Sequence, residues 1–540
     1  MSPKTTTGDP FPYAYFLLSS RHQKILTSLL ASAQVQSPPT AERLVIPHQP
    51  PAQLRSRGAQ LPARFPDTQL APGHPNQRFN GPMSPLRRLA LTSRRTIFSF
   101  LEKSLWQLPH DPGPRIPPQE LVDEEICPGY KSATFYPANP GEVLAQKYQL
   151  LAKIGWGFQS TVWLARDISR LKWQSEHTVA VKIINSADAD DSRYEEEIES
   201  LIAQQNPAHR GRVILRTCLD DFEVTSPEGK HTCLVYEPMR EPLWILQRRF
   251  VDRKLPLPIA KAYIYILLVG LDYLHSECKV VHADLKLGNI LMSFENEDIL
   301  TGFIQRQQPM QCKVDGGGGR TIYRCHNDFG ALDWRQIKNL IPKITDFGLA
   351  TRLCKPSTRD GMVGEQLGIY PIQPDHYRAS EVILGCGWDF KADIWNFGVL
   401  LWNILGSKEL FQQVHNADGQ YNAKSHLAEM IALLGPPPKV MLAKSKAMSE
   451  LNWPQPVTNN TGQLCNNAQE FFEGPFFDEK DEFRHNELVP SRGLEDTTPF
   501  LEEKDREAFL SFVRQMLTWL PEKRKTAREL MDHPFLKLGR

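Results

Sequence analysis

Between Tyr148 and Tyr236 the apolar positions fall in short runs. "KYQLLAKIG", "STVWLARD" and "HTVAVKII" combine apolar and β-branched residues over strand lengths. "DSRYEEEIESLIAQQ" repeats instead at helical spacing, and "FEVTSPEGKHTCLVYE" predicts a hairpin turning at Ser226-Pro-Glu-Gly. After Pro242 the pattern is mainly helical, most clearly in "PIAKAYIYILLVGLDYLHSE", "ADIWNFGVLLWNILG", "HLAEMIALLG" and "DREAFLSFVRQML". The pattern therefore predicts an α+β chain, a small antiparallel sheet with one helix followed by a larger helical body. The first 120 residues carry 19 of the 43 prolines and no sustained period, so residues 1–125 read as a largely disordered tail. Within it, the stretch from Met83 to Trp106 has four arginines before its first acid, Glu102, and predicts a short basic amphipathic docking helix. Its composition is also that of a transit peptide, at an internal position. No internal repeat is visible.

Composition narrows the class. With 540 residues, 41% hydrophobic and 23% charged, the chain can bury a large core. Nine scattered cysteines without a C-x-x-C pair indicate neither a disulfide framework nor a structural zinc site, and a reducing compartment, cytoplasm or nucleus, is expected. The apolar run "IYILLVGL" at 264–271 is far short of the roughly 20 residues a bilayer requires, so no membrane span is expected. Charge is uneven: residues 1–110 hold 13 Lys and Arg against 4 Asp and Glu, net +9, which leaves −8 for the rest. A basic tail ahead of an acidic body is open to three readings: a nucleic-acid or membrane contact for the tail, a basic substrate for the body, or chance.

Candidate chemistry follows the strand pattern. "KIGWGFQSTVWLARD" contains Gly155 and Gly157, but Ser160 stands where a third glycine of G-x-G-x-x-G would fall. Two glycines between strands commonly make an ordinary turn; the functional reading is a loop whose backbone covers nucleotide phosphates, with Val162 against the base. "VAVK" follows, ending at Lys182; it resembles the V-A-I-K strand of protein kinases, and on that resemblance Lys182 would bind the α and β phosphates. A lysine so placed needs an anionic partner. Taking Tyr194, Ile198, Leu201 and Ile202 as the buried face of the next helix selects Glu197 from its glutamates. After "CLVYEPM", with Tyr236 as gatekeeper, the Glu237 carbonyl and Met239 amide would bind adenine; an ordinary strand-to-loop turn fits these residues equally well.

"VHADLKLGNIL" resembles a protein kinase catalytic loop in which Ala283 replaces the usual arginine. Asp284 would accept or orient the acceptor hydroxyl proton, Lys286 would stabilise the transferring phosphoryl group, and Asn289 would bind a magnesium ion. "KITDFGLA" supplies Asp346 for the same metal, with Phe347 and Gly348 completing D-F-G. In "HYRASEVIL" Ser380 replaces the proline of A-P-E; Glu381 would pair with Arg524, and Asp393 of "ADIWNFG" would hold the catalytic-loop backbone. Each alone could be a surface charge, but their order and spacing argue against coincidence.

Residues 148–537 thus resemble a eukaryotic protein kinase. The lead-in "EEICPGYKSATFYPANPGEVLAQKYQLLAKIGWGFQSTVWLARD", Tyr377-Arg378 and the missing loop arginine are similar to the SR-protein kinases, especially the fungal-type branch. The resemblance implies a bilobal fold: an N-lobe with its lead-in over 126–239 and a C-lobe over 240–540, with an insert at 293–342. It implies ATP and Mg2+ as cofactors, with Ile154, Ala180 and Leu291 joining Gly155, Gly157, Val162, Lys182, Glu237 and Met239 around the nucleotide. It further implies serine or threonine acceptors in Arg/Ser-rich splicing proteins, no direct nucleic-acid binding by the kinase domain, and a monomer. Two departures bear on the substrate. Asn289 and Asp346 lie 57 positions apart, with a Gly run between them that reads as a flexible spacer, and Lys424 occupies a region where the family tends to be acidic. A scaffold or pseudokinase acting through tail and insert, and a related kinase with Pro-directed targets, stay open as alternatives. Because Ala283 cannot grip a phosphate on the activation segment, the segment from Asp346 to Glu381 is expected to order by packing alone.

Overall fold

A computed structural model describes residues 103–537 apart from 109–112, 128, 187–188, 307–308, 316–318, 334 and 354–366. The N-lobe is built on a six-stranded sheet of order β1-β2-β3-β4-β6-β5. Its strands are β1 (Val143–Leu144), β2 (Tyr148–Trp156), β3 (Ser160–Asp167), β4 (Thr178–Ile184), β5 (Asp220–Ser226) and β6 (Gly229–Tyr236), all paired antiparallel. The predicted hairpin turn falls between Ser226 and Gly229, which pair across it; Gly229 has φ 141°, where a side chain would be strained. Helix α1 (Ala189–Gln204) packs against the sheet at β6.

The C-lobe core is helical. Helix α2 (Leu257–Tyr273) is largely apolar because it is nearly surrounded: Ile264, Leu267, Leu268 and Leu271 are buried, and its two charged residues, Lys261 and Asp272, are paired with Asp505 and Arg528. The longer helical stretch 251–278 that contains it is, among the described residues, the one helix long and apolar enough to cross a membrane, and it lies in the protein core. Short strands β7 (Val280–Val281) and β8 (Ile290–Met292) flank the loop carrying Asp284. The insert follows, with helix α3 (Glu297–Gln305), capped by Asn296, whose side chain accepts from the Ile299 N–H at 3.1 Å, and the pair β9 (Cys312–Val314) and β10 (Thr321–Tyr323). Strand β11 (Pro342–Ile344) returns antiparallel to β8. Helices α4 (Lys391–Gly406), α5 (Ala423–Leu434), α6 (Lys439–Ser449) and α7 (Glu503–Val513) complete the lobe.

The insert is a packed element where a flexible spacer was expected; only Gly316, Gly317 and Gly318 of its Gly run lie outside the described residues. Phe294, Phe303, Met310 and Phe329 join the apolar core of the N-lobe sheet beside Leu144, Leu151 and Val235. Its stem, Ile290, Met292 and Ile344, belongs to the C-lobe core. The insert therefore spans both lobes.

The lead-in to the N-lobe also begins earlier than expected. Residues 113–125, which composition assigns to the tail, are threaded between sheet and insert. A Cβ on Gly113 would lie 2.1 Å from the Met310 carbonyl oxygen, so only glycine fits. Asp123 and Glu124 are buried around the equally buried Lys153 of β2, whose ammonium pairs with Asp123 at 3.0 Å and with Glu124. Arg320 of the insert adds a 2.8 Å pair to Glu124, and Lys313 a 2.8 Å pair to Glu125. Proline content could not reveal partners lying about two hundred positions downstream.

Of the predicted basic helix, residues 83–102 lie outside the described residues. The rest, Lys103–Trp106, is irregular and docked. Lys103 pairs with Glu176 at 2.9 Å, Arg166 donates to the Ser104 carbonyl at 2.6 Å, and the Arg166 guanidinium lies 4.4 Å over the Trp106 ring.

Candidate active site

The recess between the lobes is assembled from the sheet downward. Strands β2 and β3 close on Gly157, whose N–H donates to the Ser160 carbonyl at 2.8 Å, so Ser160 opens β3 rather than continuing the glycine loop. Gly155 faces Val162 across the pair, and a Cβ there would come 3.3 Å from the Val162 Cβ. Ile154, Val162, Ala180, Tyr236 and Cys218 pack together beneath this hairpin. Leu291 stands half-buried on β8 in the stem.

Lys182, on β4 opposite Val162, reaches from the sheet to Asp346 of the C-lobe. Its ammonium lies 2.7 and 2.9 Å from the two oxygens of Glu195 and 3.6 Å from Asp346. Burial opposes the charge, but Glu195 and Asp346 carry the ammonium above its ordinary range. The partner is thus Glu195, and the expectation of Glu197 is corrected: Glu197 is exposed. The inward face of α1 is Glu195, Ile198, Glu199 and Ile202, whereas Tyr194 and Leu201, the anchors used to orient it, are half-buried at its edges. A polar residue on the buried face is what an apolar-only pattern overlooks.

Glu199, one turn on, is likewise buried. It accepts from the Cys218 N–H at 2.6 Å and the Tyr236 hydroxyl at 3.1 Å, and burial together with the neighbouring Glu195 pushes its carboxyl up to about 8.

The floor comes from the catalytic-loop residues. Lys286 Nζ lies 2.8 Å from Asp284 Oδ2, and Asn289 Nδ2 donates to the same oxygen at 2.8 Å and to the Asp284 carbonyl at 3.0 Å. Ala283 has φ 64°, a strained value for a side-chain-bearing residue, and it is held from below. Asp393 of α4 accepts from the His282 N–H at 2.7 Å and the Ala283 N–H at 3.0 Å, as the sequence predicts. Asp346 also has a positive φ, 68°. Desolvation alone would raise its carboxyl, but Lys182, Lys286 and His282 hold it below the ordinary carboxylate range. Phe347 is buried, its ring 5.1 Å from that of His282. Further down, Arg524 and Glu381 form the expected pair, two bonds of 2.6 Å between fully buried side chains.

The hinge differs from expectation. The Glu237 carbonyl, the predicted adenine acceptor, already accepts from Arg216 Nε at 3.0 Å and Nη2 at 2.9 Å. The Arg216 guanidinium also lies 4.4 Å over the Tyr236 ring. Sequence reading passed over this residue, although a single cation inside the mainly apolar run "VILRTCL" was a signal.

A nucleotide with a divalent cation fits this donor set. Asp346 offers carboxylate oxygen, and Asn289, its amide nitrogen committed to Asp284, keeps its amide oxygen for the metal; hard oxygen ligands suit Mg2+. Above them Gly155 and Gly157 present backbone, and Lys182 presents a fixed cation.

Comparison with known proteins agrees with this arrangement. The family described as "Protein kinase domain" matches residues 148–308 and 331–536, leaving out part of the insert. A serine/threonine protein kinase of Aspergillus fumigatus is 33% identical over 416 residues, covering 77% of this chain and 91% of its own length. The serine/threonine-protein kinase SRPK of Physarum polycephalum is 29% identical over 77% of this chain and 91% of its own. SRSF protein kinase 3 of Homo sapiens is 23% identical, with 77% and 90% covered. A crystal structure of a kinase domain superposes with TM-score 0.50 at 21% identity, covering 75% of this chain and all of the other, a likeness of fold. Protein kinase domains use ATP and a divalent metal. With one lobe a twisted sheet, the other helical, and the D-F-G aspartate beside the β4 lysine, the chain belongs to the protein kinase family, as a serine/threonine kinase distantly related to the SR-protein kinases.

Proposed function

We propose that the chain transfers the γ-phosphoryl group of Mg2+-bound ATP to serine or threonine in Arg/Ser-rich proteins. The observation that carries the chemistry is the position of Lys182, 2.7 Å from Glu195 and 3.6 Å from Asp346, so that one carboxylate fixes the phosphate-binding cation beside a second carboxylate suited to a divalent metal. In this reading Lys182, positioned by Glu195, binds the α and β phosphates, while Gly155 and Gly157 cover them. Ile154, Val162, Ala180 and Leu291 enclose the base, and the Met239 amide meets its edge. Asn289 and Asp346 would hold the cation, which would supply charge neutralisation at the phosphates. Asp284 orients the acceptor hydroxyl and takes its proton, and Lys286 stabilises the transferring group. Such a reaction depends on positioning and charge more than on covalent help.

The Arg/Ser-rich class rests on the relatives named SRPK and SRSF protein kinase, and on the acidic balance of residues 111–540. The test is a degenerate peptide library with radiolabelled ATP. Arginine selected beside the acceptor supports the reading, and a flat or proline-only preference removes it. Asp284→Asn should lower turnover by about 10²–10⁴-fold, the scale of general-base catalysis, and activity that survives it would mean a different proton acceptor.

A further inference from the structure

We infer that Arg216 makes this site accept 6-oxopurine nucleotides, with GTP serving alongside ATP as phosphoryl donor; the inference rests on the kinase reading and extends it to the base.

A carbonyl oxygen has two lone pairs, and the Glu237 carbonyl already accepts from Arg216 Nε at 3.0 Å and Nη2 at 2.9 Å. Both bonds involve a charged donor and are stronger than neutral ones. The guanidinium is also fixed in orientation. It lies 4.4 Å over the Tyr236 ring, and the Arg216 N–H donates to the Ile344 carbonyl at 2.9 Å, two residues before Asp346. Cys218, two residues further on, packs in the apolar cluster with Ile154, Val162, Ala180 and Tyr236. Arg216 therefore stands at the inner edge of the recess that would enclose a base.

Adenine brings an exocyclic amine to that edge, a donor whose acceptor is already occupied. Guanine and hypoxanthine bring O6, an acceptor; the Nε–H and one Nη2–H of Arg216 are spent on Glu237, so the edge formed by Nη1 and the second Nη2–H would meet it, in the way an arginine fork suits guanine O6 and N7. With GTP the same bonds change as with ATP. The acceptor oxygen binds the γ-phosphorus, the bond from that phosphorus to the β-bridging oxygen breaks, the hydroxyl proton passes to Asp284, and GDP leaves instead of ADP.

The deciding measurement is equilibrium binding of mant-ADP and mant-GDP with Mg2+, which label the ribose and leave the base edge free. It needs no turnover. Wild type should bind mant-GDP within about tenfold of mant-ADP, about 1.4 kcal/mol, and Arg216→Val should shift the ratio at least tenfold towards mant-ADP. Should that variant misfold, Arg216→Gln, of similar length without the charge, takes its place. A wild type preferring mant-ADP by more than tenfold, or a ratio that both variants move by less than tenfold, overturns the inference. Parallel turnover with ATP and GTP separates the failures, since ATP turnover without GTP binding sinks only this inference, whereas absence of turnover with either nucleotide sinks the kinase reading.

Discussion

Two positions on α1 separate Glu195 from Glu197, and their surroundings differ completely. Glu195 is buried against Lys182; Glu197 faces solvent. Glu195→Gln should lower kcat/KM for ATP by about 100-fold, the scale on which misplacing one reacting group is felt, while Glu197→Gln should leave it within about twofold. Steady-state kinetics on the two variants checks both, and equal losses would mean that the helix turns a different face inward. Glu199 gives a prediction in pH. Its carboxyl is raised from about 4.5 to about 8 in the fold, so between these values the folded state holds a proton that the unfolded state has released. Stability from this group is therefore full below about pH 4.5 and is lost as pH rises through about 8. Thermal melts from pH 5 to pH 8 should fall for the wild type, and Glu199→Gln should flatten that part of the curve.

At the scale of elements, legibility followed chain-local information. The strands carrying Gly155 and Lys182, the hairpin at Ser226–Gly229, and the loop bearing Asp284 were readable because turn residues and apolar runs mark them within a few positions. Asp393 and the Glu381–Arg524 pair were readable from motif order. The face of α1 was not, since two glutamates occupy positions that an apolar pattern assigns to solvent, and their partners lie on β4, on β6 and at Cys218. Arg216 escaped for the same reason, its partner being a backbone carbonyl that no side-chain pattern marks. Two element-level predictions follow from the loops. Ala283 offers no cation to a phosphate on the activation segment, so treating pure enzyme with phosphatase should leave kcat within about twofold; a large loss would show that a phosphate orders the segment by another route. Arg524→Ala would leave Glu381 buried without its partner and should cost about 3–5 kcal/mol, read as a lowered midpoint in thermal or denaturant unfolding.

Across the whole molecule, the least legible region was the junction of lead-in, sheet and insert. Asp123, Glu124, Lys153 and Arg320 are ordinary surface residues by type, yet they meet in one buried cluster that, with the Ile116, Val122 and Ile322 contact and the Lys313–Glu125 pair, holds residues 113–125 to sheet and insert. Lys153→Ala, which strands the buried Asp123 and leaves the buried Glu124 with Arg320 as its one cation, should lower the unfolding midpoint more than Lys147→Ala, whose ammonium pairs with the half-exposed Asp220 at 2.6 Å. Phe303 and Phe329 complete the core of a sheet whose last strand ends at Tyr236. During synthesis, then, the N-lobe must wait for residues made long after its own strands have left the ribosome. At roughly 5–20 residues per second that delay lasts about 5–20 seconds, an interval in which a newborn sheet keeps an apolar surface open to chaperones.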